Sequence, residues 1–287
     1  MDELKMMISP GLQSEHGSKV TPREWAQAQA DKYNRGVGYL AEKDGYNCDK
    51  CKNKGYVAAV YHDEQFGYYT QELVPCACQR IRKALRRLNR SGISNVAKRY
   101  TFAQYETTEP WQQAIKTAAE KFCKDDANNW FFIGGQSGAG KSHICTAIAL
   151  HYIRTGKDTR YMLWRDEITR LKACITDSEE YAAMIGELKN AEVLYIDDLF
   201  KSGKTPDGRP ATPTAADINA AFEIINYRYG RPEFITIISS EKTLTDLLQV
   251  DEAIMGRIAE KTKEGGYCLN LKPDKNRNYR LKGVIDL

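Results

Sequence analysis

Trp130-Phe-Phe-Ile-Gly-Gly135-Gln-Ser-Gly-Ala-Gly140-Lys141-Ser142-His143 decides the reading of this 287-residue chain. Four apolar residues of strand character run into Gly135-x-x-x-x-Gly140-Lys141-Ser142, and a helix is expected to begin near Ser142. Glycines at 135, 138 and 140 let the backbone turn tightly, so that the N–H groups of Gln136, Ser137 and Ala139 and of the helix start converge on phosphate oxygens. In such a loop Lys141 reaches the β and γ phosphates, and the Ser142 hydroxyl serves a Mg²⁺ ion that bridges them. A glycine-rich loop without nucleotide is the alternative, and the order strand, loop, lysine, helix argues against it.

Outward from this loop, Val193-Leu-Tyr-Ile-Asp197-Asp198 places an acidic pair at the end of a second apolar run, 56 residues after Lys141. Asp197, at the strand tip, is the candidate metal partner, and Asp198 the candidate to polarise an attacking water. A helix cap is the alternative for Asp198. A third run, Phe234-Ile-Thr-Ile-Ile-Ser239-Ser240, ends in hydroxyls that either sense the γ phosphate or cap a helix from about Thr243. Arg257 lies on an amphipathic helix beyond it, as a salt-bridge partner for Asp251 or Glu260 or as a finger for a neighbour's nucleotide.

From about residue 106 onward, short apolar runs alternate with longer amphipathic segments, the pattern of an α/β fold with a mostly parallel sheet and crossover helices. Strands are expected at Trp130 to Ile133, Thr159 to Trp164, Glu192 to Ile196 and Glu233 to Ser239. Asp166 to Lys189 reads as one amphipathic segment that could line a DNA path. Lys201 to Pro213, rich in Gly, Pro and Thr, reads as a surface loop, or a mobile one near the nucleotide.

The composition, 42% hydrophobic and 28% charged, excludes wholesale disorder. No apolar run reaches the roughly 18 residues of a membrane span, and Met1 to Lys19 lacks a secretory apolar block. A cytoplasmic protein without a membrane partner is expected. There cysteines stay reduced, so clustered ones are metal candidates first. Cys48-x-x-Cys51 and Cys76-x-Cys78, 24 residues apart, supply four thiolates for a closed Zn²⁺ site, with Gly55 and Pro75 suggesting two short hairpin-like ligand arms. His62 could replace one ligand. Cys123, Cys145, Cys174 and Cys268 are scattered. Such a site leaves no position for substrate, so the zinc is structural.

Four segments result: an N-terminal helical segment over 1–45, with Trp25, Ala28, Tyr33 and Val37 as its face; a four-cysteine zinc module over 46–79; a basic connector over 80–105; and the ATPase domain over 106–287. Gln79 to Arg99 holds eight Lys or Arg and no acid, with Ile81, Leu85 and Leu88 on one helix face. Its basic surface suits phosphate backbones or, equally, an acidic neighbour, because the net charge of +4 alone does not imply nucleic acid.

Taken together, the two phosphate motifs, the cysteine module, Ser91-Gly-Ile93, Tyr100-Thr-Phe102, Ile224-Ile-Asn-Tyr-Arg228-Tyr and the Arg257 helix resemble the bacterial and phage helicase loaders of the DnaC and DnaI type. These are AAA+ ATPases related to the transposition helper IstB. The resemblance implies hydrolysis of ATP to ADP and phosphate, coupled to loading a replicative DNA helicase of the DnaB type onto single-stranded DNA. It further implies an oligomer in which Arg257 is the finger in trans, and helicase binding by the N-terminal region. Arg228 matches a position often basic in that family. Two departures stand out. Glu241 replaces the Asn that related loaders commonly carry after the sensor strand, leaving that role to Ser239 or Ser240. Only 47 residues follow Ser240, short of a full helical lid, so Arg277 or Arg280 would stand in as a second sensor. The alternatives are an IstB-like helper that binds duplex DNA and a transposase, and a DNA-independent switch whose zinc module only docks a protein.

Overall fold

Thr21 starts the first helix: its hydroxyl accepts the Glu24 N–H while the Glu24 carboxylate accepts the Thr21 N–H, a capping box with Pro22 at the first helical position. The computed structural model describes residues 20–88, 99–125, 127, 129–203, 205, 207–208, 211–274 and 277–281. The chain divides between Arg82 and Lys83 into two compact units.

In the first unit, helix α1 (Pro22–Arg35) packs on an antiparallel hairpin of β1 (Tyr56–Asp63) and β2 (Tyr68–Pro75), paired from Tyr56 with Pro75 to Asp63 with Tyr68. The face expected to be buried is displaced. Ala26 and Ala30, one turn apart, are buried, whereas Trp25, Ala28 and Val37 are exposed. Small residues at the contact let the helix approach closely enough for the Asn34 amide to bond both backbone groups of Ala58. A short helix, α2 (Leu40–Asp44), precedes the first cysteine pair, and α3 (Cys78–Leu88) starts at the last cysteine. The expected pair of short arms is therefore one long hairpin, with a turn at Cys48 and Cys51 and a helix start at Cys76 and Cys78. The expected basic connector begins as this same helix, with Ile81, Arg82 and Ala84 buried and Leu85 half-buried. Its remainder, including Ser91-Gly-Ile93, lies outside the described residues.

The second unit is a parallel sheet in the order β4-β5-β6-β3-β7, with β3 Trp130–Gly135, β4 Thr159–Leu163, β5 Val193–Asp197, β6 Ile235–Ser240 and β7 Cys268–Leu271. Every residue of β3 and β5 is buried, which is why those strands read as continuous apolar runs. The first four strands fall within two residues of the expected ends. β7 was not anticipated, because Cys-Leu-Asn-Leu is too short and mixed to stand out. Helices α4 (Pro110–Phe122), α5 (Lys141–Arg154), α6 (Trp164–Ala173), α7 (Ser178–Asn190), α8 (Ala215–Tyr229), α9 (Leu244–Leu248) and α10 (Glu252–Lys263) flank and connect the strands. The single segment expected from Asp166 to Lys189 is thus two helices, with the second capped by Asp177. Trp130, Phe132, Met162, Trp164, Ile196, Ile224, Ile238 and Ile258 share one buried core.

Arg228, fully buried on α8, fastens this core. Its guanidinium donates to the carbonyls of Leu188, Lys189, Ala191 and Ile235 and to Thr236 Oγ1, all at 2.7–3.3 Å, and lies over the Phe234 ring. Among the described residues no helix is long and apolar enough to cross a membrane.

Candidate functional site

The register between neighbouring strands aligns Ile133 with Ser239, Gly134 with Ser240, Gly135 with Leu271, and Leu163 with Asp197. The ends of the strands thus meet at one edge of the sheet, where open parallel folds bind ligands. The loop from Gly135 needs glycine for steric reasons. Gly135 has φ +109°, and a β-carbon there would lie 2.1 Å from the Leu271 carbonyl oxygen; Gly138 has φ +78°, with Asn278 Oδ1 2.0 Å from the same position. Gly140 caps α5, which starts at Lys141. The Lys141 ammonium turns back to donate to the carbonyls of Gly135 and Gln136, both at 2.8 Å. Burial lowers its pKa, opposed by the charges of Asp198 and Glu241.

Residues Ser137 to His143 line a cavity of about 260 Å³ together with Tyr100, Gln104, Tyr105, Glu106, Gln112, Asp198, Lys201, Glu241, Tyr279 and Arg280. Backbone amides, three cationic side chains and a helix start make it an anion cradle. An aromatic wall belongs to the same cavity: the His143 ring stacks on Tyr100 at 4.6 Å and meets Tyr105 edge-on, with Nε2 2.9 Å from the Thr101 carbonyl oxygen. Burial lowers the His143 pKa, favouring the neutral ring. Gln136, expected in the binding loop, does not line the cavity. Its amide bonds both backbone groups of Asp274, so it braces the loop against the C-terminal segment, as does the Tyr279 N–H to the Gly138 carbonyl. Gly135 likewise contributes its turn and its carbonyl rather than a lining surface.

Asp197, 5% exposed, accepts Ser142 Oγ at 3.1 Å and Ser239 Oγ on Oδ1, and the Tyr161 hydroxyl at 3.0 Å on Oδ2. The next residue, Asp198, adopts φ +59° and faces the cavity. Its carboxylate pairs with Lys201 at 2.8 Å, and Lys201 also reaches Glu241 at 3.0 Å. Burial raises the Asp198 pKa against the pull of Lys201. For Glu241 burial acts upward too, but the Lys201 contact prevails and the pKa falls.

Ser239 and Ser240, the candidate phosphate sensors, end β6 beside Asp197 and Leu199. Both are fully buried and outside the cavity lining: Ser239 joins Asp197 to the Asp198 N–H, and Ser240 Oγ donates to the Leu199 carbonyl. Nor do they cap the following helix, which Thr243 caps with Asp246. Arg257 lies outside its own chain's cavity lining. It pairs with neither Asp251, which caps α10, nor Glu260, which takes the Tyr229 hydroxyl; it bonds Asn226 Oδ1 at 3.0 Å and the Ala253 carbonyl and lies over Phe222 and Tyr229. Of the two candidates for a second sensor, Arg280 lines the cavity, 3.5 Å from Ser137 Oγ, whereas Arg277 is held by the Lys272 carbonyl and lies over Trp111. Sequence reasoning missed Tyr161, Lys201 and the aromatic wall. The position of Tyr161 two residues before the strand end paired with Asp197 was the available signal.

In the first unit, Cys48, Cys51, Cys76 and Cys78 place four sulfur atoms within 4.8 Å of one another, with Sγ separations of 3.8 Å for Cys48–Cys76 and 3.5 Å for Cys51–Cys78. A tetrahedral zinc with Zn–S of about 2.3 Å requires S···S edges of about 3.8 Å, so the donor set fits. His62 is not part of the cluster; its ring lies tilted against Tyr69, 4.4 Å between centroids. Burial pushes the Cys78 thiol up to about 12. Cys51, despite burial, is drawn down to about 7 by the Gly55 N–H and the neighbouring thiols. Arg82, read from the sequence as part of a basic surface, is instead buried behind the thiols, its Nη1 donating to both carboxylate oxygens of Asp44 and its Nη2 lying 3.0 Å from Asn53 Oδ1, which in turn accepts the Cys48 N–H.

The IstB-like ATP binding protein family matches residues 69–264. The phage-like element PBSX protein XkdC of Bacillus subtilis is 33% identical over 257 residues, covering 85% of this chain and 90% of that protein. A replicative helicase loader DnaC of Buchnera aphidicola is 25% identical over 161 residues, 52% of this chain and 65% of that one. Among solved structures, AMPPCP-bound DnaA from Aquifex aeolicus superposes with a TM-score of 0.48 at 20% identity, over 64% of this chain and 53% of that one. The family match spans more than half of the chain and the phosphate loop within it: the chain belongs to the IstB-like ATP binding protein family and is an AAA+ ATPase with a four-cysteine cluster near its N-terminus.

Proposed function

We propose that this ATPase loads a replicative DNA helicase of the DnaB type onto single-stranded DNA, with ATP binding and hydrolysis controlling engagement and release. The observation that carries the nucleotide half is the 3.1 Å contact between Ser142 Oγ and Asp197 Oδ1 at the edge of the phosphate loop. Two oxygen ligands placed together beside an anion cradle suit Mg²⁺, which when bound neutralises phosphate charge. Lys141 exchanges its two carbonyl contacts for phosphate oxygens, and Asp198 orients the attacking water and takes up its proton. Arg280 reads the bound nucleotide from the C-terminal segment. Arg257, outside its own cavity, serves the nucleotide of a neighbouring copy, so turnover depends on self-association. The four cysteines hold Zn²⁺ and make the first unit a rigid platform for the helicase.

The helicase half is supported by similarity to proteins named as replicative helicase loaders. The family's description favours a second reading, an IstB-like transposition helper acting on duplex DNA. ATP turnover measured with single-stranded DNA, with duplex and with neither, at two salt concentrations, separates the readings. Stimulation by single strands together with retention of a DnaB-type helicase supports loading. Stimulation by duplex alone overturns it.

A further inference from the structure

The turn after β5 is built with more constraint than a surface loop requires. Asp198 and Phe200, neither of them glycine, both have φ +59°, a conformation that costs about 1 kcal/mol or more per residue and persists only where the surroundings impose it. Those surroundings are visible. Leu199 and Phe200 are buried to within 2% of full, the Leu199 N–H donates to the Ser239 carbonyl at 2.8 Å, the Leu199 carbonyl accepts Ser240 Oγ, and the Lys201 N–H closes the turn on the Asp198 carbonyl. Strain held this firmly aims the side chain at the end of the turn. That side chain is Lys201, whose ammonium lies in the cavity between Asp198 Oδ2 at 2.8 Å and Glu241 Oε1 at 3.0 Å.

We infer that Lys201 contacts the terminal phosphate of ATP and couples its presence to release of Asp198, an inference that rests on the ATPase reading. A terminal phosphate competes for the Lys201 ammonium; ADP, lacking it, leaves Lys201 on Asp198 and Glu241. In hydrolysis a water oxygen bonds to the terminal phosphorus and the bond to the bridging oxygen breaks, its electron pair leaving on ADP. The water proton passes to Asp198 through an oxygen that Lys201 otherwise occupies. Glu241 holds Lys201 at this junction.

The test compares wild type, Lys201→Met, Lys201→Arg and Glu241→Gln by calorimetric binding of ADP and of a non-hydrolysable ATP analogue with Mg²⁺, and by steady-state ATP turnover. Lys201→Met is expected to bind ADP within about twofold of wild type, to lose about tenfold in preference for the ATP analogue, and to lose about 100-fold in kcat with a smaller change in KM, the scale of one removed charged donor. Lys201→Arg should recover most of both losses, and Glu241→Gln should lower kcat more than it raises KM. Unchanged analogue preference and turnover in Lys201→Met overturns the inference, as does an equal loss of ADP and analogue binding. A wild-type protein that binds ADP but turns over no ATP would instead overturn the ATPase reading beneath it.

Discussion

Ser239 Oγ donates to Asp197 Oδ1 across the gap between β6 and β5 and accepts the N–H of Asp198 at 3.0 Å, so one hydroxyl orients both acidic residues. Ser239→Ala removes both contacts without adding bulk. Turnover is expected to fall by about tenfold, one to two kcal/mol of lost positioning, while ADP affinity stays near wild type. Ser240→Ala, which loses the contacts to the Leu199 carbonyl and from the Lys242 N–H but none to an acidic residue, should lower the melting temperature with a smaller effect on turnover. Steady-state kinetics on both variants, with melting curves, checks the contrast. Equal kinetic losses in the two would show that Ser239 has no special position.

Arg228 is a buried cation held by carbonyl oxygens and one hydroxyl, with no carboxylate bonded to it among the described residues. Burial lowers its pKa, yet its donors satisfy the ends of α7 and the starts of β5 and β6. Arg228→Met leaves those carbonyls without partners and is expected to cost about 3–5 kcal/mol. Arg228→Lys should also destabilise, since three donors cannot reproduce a planar fork. Urea unfolding of the full chain reads the difference; a loss under about 1 kcal/mol for Arg228→Met would return this contact to a minor role.

The parallel sheet was legible because β3 and β5 are buried on both faces, which leaves uninterrupted apolar runs in the sequence. The loop at Gly135 to Ser142 was legible because its glycines answer to steric demands that few residues meet. What stayed hidden depends on partners distant in sequence. Whether Ser239 faces phosphate or Asp197 is set by register between β5 and β6, which periodicity does not encode. Arg82 looked like one more charge in a basic run; only the fold brings Asp44 and Asn53 to it. On α1 the large aromatics suggested the buried face, but close helix-to-hairpin approach selects alanines instead.

The thiol cluster predicts metal content. Purified protein should carry about one zinc per chain, and Cys51→Ser should lower that content. Arg82→Gln should retain zinc yet lose it to a chelator about 10–100-fold faster, because the contacts from Arg82 to Asp44 and Asn53 orient the ligand backbone from behind. Affinity should fall as pH drops, since protons compete for the thiolates. Less than one zinc per two chains in wild type argues against the site.

Arg257 yields the prediction that bears on assembly. Its guanidinium is held in place by Asn226 and the Ala253 carbonyl and lies over Phe222 and Tyr229, but outside the cavity lined by its own chain. An arginine oriented in that way can stabilise transition-state charge only in a neighbour's site. Arg257→Ala should bind ATP normally and lose turnover; Lys141→Ala should lose turnover because its own site is disabled, while keeping an intact finger. Mixed in equal amounts, the two inactive proteins should regain part of the wild-type rate, because some interfaces then pair an intact loop with an intact arginine. The regained rate should rise with total protein concentration, as assembly demands. No recovery at concentrations where the mixed assembly is seen by light scattering would return Arg257 to a contact within its own helix pair.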